Sequence, residues 1–179
     1  MLFLGGARSG KSAAAEARAV AVAGSRSVVY VATAPLRPDD PEWTARITEH
    51  RARRPAGWQT VETGDVVAEL RAAGVVLVDC LSLWLTRVMD EANAWDGAAG
   101  AAAQVDRRCA ALTGAWRAAT GYVIAVSSEV GLGVVPVSPA GRLFRDRLGQ
   151  LNAAVAQASD EVALVVAGRL LRLTDPGMP

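Results

Sequence analysis

Short runs of consecutive apolar residues alternate along this chain with longer stretches in which apolar residues recur every three or four positions. Runs of the first kind suit strands buried on both faces of a parallel sheet; the second kind suits helices with one apolar stripe. Leu2 to Leu4, Ser27 to Ala32, Val75 to Val78, Tyr122 to Val126 and Glu161 to Ala167 read as buried strands, and Trp58 to Thr63 alternates in a strand-like manner. Helices are predicted over Ser12 to Ala23, Glu42 to Arg54, Val66 to Ala73, Leu81 to Trp95 and Ala101 to Ala119. In a last long helix Phe144, Leu148, Leu151, Val155 and Ala158 recur at alternating spacings of four and three. Gly168 followed by Arg169 to Leu173 could return as an edge hairpin at the C-terminus. Strands alternating with helices imply an α/β fold of three layers, a mostly parallel central sheet covered on both faces. No repeat, linker or second domain is visible, so residues 1–179 are expected to form one domain.

The junction of the first strand and first helix changes this picture, because it reads Gly5, Gly6, Ala7, Arg8, Ser9, Gly10, Lys11, Ser12. That is the phosphate-binding loop pattern G-x-x-x-x-G-K-[ST], placed between a strand and a helix as the motif requires. Glycines let backbone N–H groups turn inward around a phosphate chain, and the helix N-terminus points its dipole at the anion. Lys11 can reach the β- and γ-phosphates, and the Ser12 hydroxyl can ligate Mg²⁺. The expected fold is thus of the P-loop NTPase type, a single nucleotide-binding domain. Lys11 is also the only lysine of the chain, every other basic side chain apart from the sole histidine being arginine.

Composition narrows the partners. Charged residues make up 21% and the formal net charge is +1, so nothing draws the chain in bulk toward nucleic acid or an anionic membrane. No apolar run approaches the roughly 20 residues that span a bilayer, and the loop begins too near Met1 for a cleavable signal, which predicts a cytoplasmic protein. Cys80 and Cys109 are too few and scattered for a disulfide framework or zinc site and read as free thiols.

Three further places carry candidate chemistry. On the helix over Glu42 to Arg54, helical geometry puts Trp43, Ile47, His50 and Arg54 on one stripe, with Arg46 and Arg53 beside it. The apolar pair turns that stripe inward, so the sole histidine faces the protein among arginines. A surface or satisfied core imidazole is the competing reading, but the arginines suggest an anion site and would favour a neutral, nucleophilic imidazole. Val75 to Val78 closes on Asp79, which resembles the second nucleotide-site element whose carboxylate orients Mg²⁺ or its water. Thr33-Ala34-Pro35 ends the second strand, and would lie near the nucleotide if that strand neighbours the first; a plain turn set by Pro35 accounts for the same residues. Glu62 lies on one face of its strand, and the polar exit Ser127-Ser128-Glu129 points toward the same crevice. From the residues alone, the chain reads as a Mg²⁺-nucleotide enzyme of phosphoryl-transfer type with an unnamed acceptor.

A set of segments also resembles a known family. GGARSGKS at Gly5 to Ser12, YVATA at Tyr30 to Ala34, RITEHRARRPAGWQTVE at Arg46 to Glu62, LVDCLSLWLT at Leu77 to Thr86, VSSEVGLGVVP at Val126 to Pro136 and FRDRLGQLN at Phe144 to Asn152 look like the bifunctional adenosylcobinamide kinase / adenosylcobinamide-phosphate guanylyltransferase of cobalamin biosynthesis. The resemblance runs in register from about Leu2 to Leu173. It implies phosphorylation of adenosylcobinamide, then transfer of GMP from GTP to adenosylcobinamide phosphate, with pyrophosphate leaving and a guanylylated histidine falling on His50. By the same resemblance Thr33, Ala34, Pro35, Arg51, Ala52, Arg53, Arg54, Glu62 and Asp79 would contact guanine nucleotide, Ser12 and Asp79 would hold Mg²⁺, ATP and GTP would be substrates, and the assembly would be a homotrimer. Ser128 stands where the family commonly has Asn, and Ala153 where a Gln often follows Asn152. Two other classes compete: a simple small-molecule kinase without covalent intermediate, in which His50 is structural, and a nucleotide-dependent regulator, for which no effector motif is visible.

Overall fold

The computed structural model describes residues 1–34, 39–72 and 74–173, and within that range the side chains of all but Trp43 and Arg46. The expectations placed on Pro35, on Ala73 and on the side chains of Trp43 and Arg46 therefore lie outside the described residues.

The elements follow in the order β1 (Leu2–Gly5), α1 (Lys11–Ala23), β2 (Val28–Ala32), α2 (Pro41–Ala52), β3 (Gln59–Glu62), α3 (Val66–Glu69), β4 (Val75–Asp79), α4 (Leu81–Glu91), α5 (Ala101–Ala118), β5 (Tyr122–Ser128), α6 (Pro139–Gln157), β6 (Val162–Val166) and β7 (Arg169–Leu173). The strands form one seven-stranded sheet in the order β3-β2-β4-β5-β1-β6-β7. Pairing is parallel from β3 through β6 and antiparallel only for β7. The hairpin between β6 and β7 turns on Ala167 and Gly168, both at positive φ, which matches the right-handed twist of the strands it joins.

The continuous apolar runs divide by alternation into two cores. Phe3, Tyr30, Leu77, Ile124 and Val165 pack on the α1 face beneath Ala15, Ala19 and Ala23. Leu2, Leu4, Val31, Val76, Val78 and Ala125 pack on the other face, against Val66, Trp84, Leu112, Leu148 and Val155 from α3, α4, α5 and α6. Small alanines let α1 lie close on the sheet, which holds the loop before it tightly against β1. Among the described residues, no helix is long and apolar enough to cross a membrane.

Several predicted boundaries change. The helix foreseen over Leu81 to Trp95 ends at Glu91, because Asn93 takes a left-handed conformation and a short 3₁₀ turn over Ala94–Asp96 follows. The helix foreseen over Val66 to Ala73 is one turn, Val66–Glu69, capped by the Asp65 carboxylate accepting from the Ala68 N–H. α2 stops at Ala52, so Arg53 and Arg54 lie just past its last turn. The strand-like segment near Glu62 is a true strand at the sheet edge. Finally, β2 does not neighbour β1: β4 and β5 separate them, so the condition attached to Thr33–Pro35 is not met.

Candidate active site

The loop between β1 and α1 has the form an anion cradle needs. Gly10 sits at φ 93 and leads into α1 with no side-chain cap, which leaves the first N–H groups of the helix facing outward for an anion. Lys11 is buried and its Nζ donates to the Gly6 carbonyl at 3.0 Å, arching back over the loop. The turn between β6 and β7 braces the loop from behind, the Gly168 N–H donating to the Ser9 carbonyl at 2.9 Å. A Cβ on Gly5 would fall 2.6 Å from the Val165 carbonyl oxygen, so only glycine fits that strand end.

Parallel register then lines up the other strand ends. Ala32 lies between Glu62 and Asp79, placing the ends of β3, β2 and β4 in one row, while Ser128 on β5 lies opposite Gly5. Asp79 accepts a hydrogen bond from the Tyr30 hydroxyl at 2.8 Å. Burial and the adjacent Asp79 carboxylate push the Tyr30 phenol well above its ordinary pKa, so it acts there as a donor. The Thr33 hydroxyl donates to the Cys80 carbonyl at 2.8 Å and accepts from the Cys80 N–H at 2.9 Å. It thus ties the exits of β2 and β4 together, and its oxygen is not presented to the crevice.

α2 lies over this row. His50 Nδ1 comes within 3.7 Å of Asp79 Oδ2. Arg51 pairs with Glu62, Arg53 Nε lies 3.4 Å from Glu16 Oε2, and the Arg54 guanidinium stacks 3.4 Å above the Tyr30 ring while donating to Thr60. Residues at the end of α2 are thereby fixed to β4, β3, α1 and β2. Carboxylates as well as arginines face the imidazole, which the helical pattern of α2 alone did not reveal.

The cavity under α2 has a volume of about 460 Å³ and is lined by Ala7, Lys11, Ser12, Ala34, His50, Arg51, Arg54, Glu62 and Asp79 from the predicted set. Gly5, Gly6, Arg8, Ser9 and Gly10 shape the loop behind it, and Thr33, Ala52 and Arg53 stand outside its wall. Ile47, on the stripe expected to face inward, and Ser128, at the exit expected to face the crevice, line it as well; sequence reasoning missed Tyr30, Ala32, Cys80, Ser82, Leu83, Thr86 and Phe144, which also line it. It missed Glu16 too, buried on α1 one turn beyond Ser12. The signal for Tyr30 was a polar-tipped aromatic inside an otherwise aliphatic strand, and for Glu16 a lone acid amid alanines.

Ser12 and Asp79 offer a hydroxyl and a carboxylate, hard oxygen donors of the kind Mg²⁺ takes. Glu16, His50 and Asp79 also bring one potential ligand atom each within 4.8 Å of one another.

Residues 1–173 match the family described as cobinamide kinase / cobinamide phosphate guanyltransferase. The chain is 41% identical over 174 residues to the bifunctional adenosylcobalamin biosynthesis protein CobP of Pseudomonas aeruginosa, covering 93% of this chain and 92% of that one. It is 36% identical over 179 residues to the bifunctional adenosylcobalamin biosynthesis protein CobU of Salmonella typhimurium, covering 94% and 96%. Among solved structures it is similar to an ATPase domain, with a TM-score of 0.45 and 12% identity over 91% of this chain and 67% of that one. With a phosphate loop closing the first strand of a mostly parallel sheet and a match that spans the described residues, this chain belongs to the cobinamide kinase / cobinamide phosphate guanyltransferase family.

Proposed function

We propose that this chain, working as one nucleotide-binding domain, phosphorylates adenosylcobinamide and then transfers GMP from GTP to the resulting phosphate through a guanylylated His50. The observation that carries the covalent step is that His50 shares one cavity with Lys11 and Ser12 while its Nδ1 faces the Asp79 carboxylate at 3.7 Å. With Nδ1 held toward Asp79, Nε2 is the nitrogen that attacks. Its lone pair forms a bond to the α-phosphorus of GTP as the bond to the pyrophosphate oxygen breaks, and the positive charge gained by the imidazole is met by Asp79. An oxygen of adenosylcobinamide phosphate then attacks the same phosphorus, the P–N bond breaks, and neutral His50 is restored. Splitting the transfer replaces one displacement between two crowded phosphates by two easier ones.

Lys11, the loop N–H groups and the α1 N-terminus bind the triphosphate, and Arg51 and Arg54 hold phosphate charge on the far wall. Ser12 and Asp79 would hold Mg²⁺, which when bound neutralises triphosphate charge. In the kinase step the same loop presents the γ-phosphate of ATP or GTP to the cobinamide hydroxyl. A cytoplasmic homotrimer is the form in which we expect the enzyme to work.

The test is incubation with Mg²⁺ and GTP labelled at the α- or the γ-phosphate, comparing wild type with His50→Ala. Acid-labile α-label on the wild type, absent from His50→Ala, is the expected result. Absence of α-label on wild type that demonstrably binds GTP would overturn the covalent route and leave a kinase acting through the loop alone.

A further inference from the structure

Glu16 takes no part in the chemistry above, yet its carboxylate is nine-tenths buried, on the phosphate-loop helix itself. Burial raises its pKa, with Arg53 pulling in the other direction, so the group sits where a charge is costly. Its Oε2 takes the Arg53 Nε at 3.4 Å, and its Oε1 has no hydrogen-bond partner among the described residues. A buried acid on an otherwise alanine-rich face needs a reason, and its surroundings supply one.

Four side chains at the end of α2 and just past it reach the body of the protein. Arg51 does so through the exposed Glu62, a pair of the kind that contributes little in water, and Arg54 through the exposed Thr60 and the face of the buried Tyr30 ring. His50 reaches Asp79. Of these four, the Arg53–Glu16 pair is the one that ends on α1, and so joins the segment that carries His50 directly to the helix that carries Lys11 and Ser12. A divalent cation bridging Glu16, His50 and Asp79 is the other use of this cluster. It is disfavoured because the Arg53 guanidinium already lies on Glu16 and the Arg54 charge also reaches that carboxyl.

We infer that Glu16 is a positioning residue for histidine guanylylation: through Arg53 it registers the His50 helix against the phosphate loop, setting the distance between the imidazole and the α-phosphate. The inference rests on the reading that His50 accepts GMP. Misplacing a nucleophile by about 1 Å costs on the order of a hundred-fold in rate, so loss of the anchor is expressed in one half-reaction. Transfer of the γ-phosphate to cobinamide does not use His50 and is spared.

The experiment is a single-turnover measurement of acid-labile label from α-labelled GTP, beside the rate of γ-phosphate transfer to cobinamide, in wild type and Glu16→Gln. The expected result is a fall of roughly ten- to a hundred-fold in histidine labelling with phosphorylation within about two-fold of wild type. Adding Glu16→Gln to an Arg53→Gln background is expected to cost nothing further in labelling, since both remove one link. Unchanged labelling in Glu16→Gln, parallel loss of both half-reactions, or additive losses with Arg53→Gln would each overturn the inference while leaving His50 as the acceptor. No label on the wild type would instead remove the reading on which it stands. Should Glu16→Gln lose its circular dichroism signature of folding, Glu16→Asp, which keeps the charge but withdraws it by one methylene, takes its place with the same outcomes.

Discussion

His50 and Asp79 meet with Nδ1 and Oδ2 3.7 Å apart, although one rides on α2 and the other closes β4. Asp79 is itself held by the Tyr30 hydroxyl at 2.8 Å, so the carboxylate that orients the imidazole has a fixed rotamer. An amide at that position presents a different donor and acceptor pattern to both partners. Asp79→Asn is therefore expected to slow histidine guanylylation by roughly a hundred-fold, the scale of a misplaced nucleophile. Single-turnover labelling with α-labelled GTP checks this, and a rate within two- or three-fold of wild type would contradict it.

Lys11 is buried and reaches back to the Gly6 carbonyl of its own loop. A planar guanidinium on a longer stem does not fit the same point-charge role. Lys11→Arg is expected to reduce both half-reactions by about 10²-fold or more, the loss typical of one preorganised charge contact in a transition state. Steady-state rates of phosphorylation and GMP transfer, measured together, test whether one lysine serves both.

The tight approach at Gly5 makes a stability prediction that does not depend on function. A methyl group there would meet the Val165 carbonyl and the Ser9 hydroxyl, each at 2.6 Å, and the carbonyl belongs to a paired strand that cannot step aside. Gly5→Ala is expected to cost about 1–3 kcal/mol through overpacking. A urea titration would show the midpoint falling.

At Glu16 a substitution is expected to raise stability near neutral pH instead. Its folded-state pKa lies above the ordinary 4.5 because burial penalises the charged form. Between the ordinary value and the raised one the folded chain binds more protons than the unfolded chain, so stability falls as pH rises through that window. The cost is complete above the folded pKa, and absent below the unfolded one. Glu16→Gln removes it, so the variant is expected to match wild type near the acid end and to gain on it toward neutral pH, while losing histidine guanylylation. Urea unfolding at several pH values reads the difference; a wild type that gains on the variant as pH rises would contradict the sign.

Much of this protein is written locally. The spacing Gly5, Gly10, Lys11, Ser12 specifies a turn, a backbone cradle and a helix start within a dozen residues, because each requirement is met by neighbours in the chain. The continuous apolar runs at β2, β4 and β5 likewise declare strands buried on both faces. The helical repeat of Ile47, His50 and Arg54 was enough to turn the imidazole inward, and these three do line the cavity. What the chain order alone could not decide is which strands lie side by side. The crossover inserts β4 and β5 between β1 and β2, and so sets Thr33 beside Cys80, where its hydroxyl ties the ends of β2 and β4. The same crossover brought Asp79 under His50, and the packing of α1 on the sheet brought Glu16 to Arg53. Those partners are distant in sequence, and only the register of the parallel strands and the angle at which two helices cross them fix the few ångströms on which the chemistry of the histidine depends.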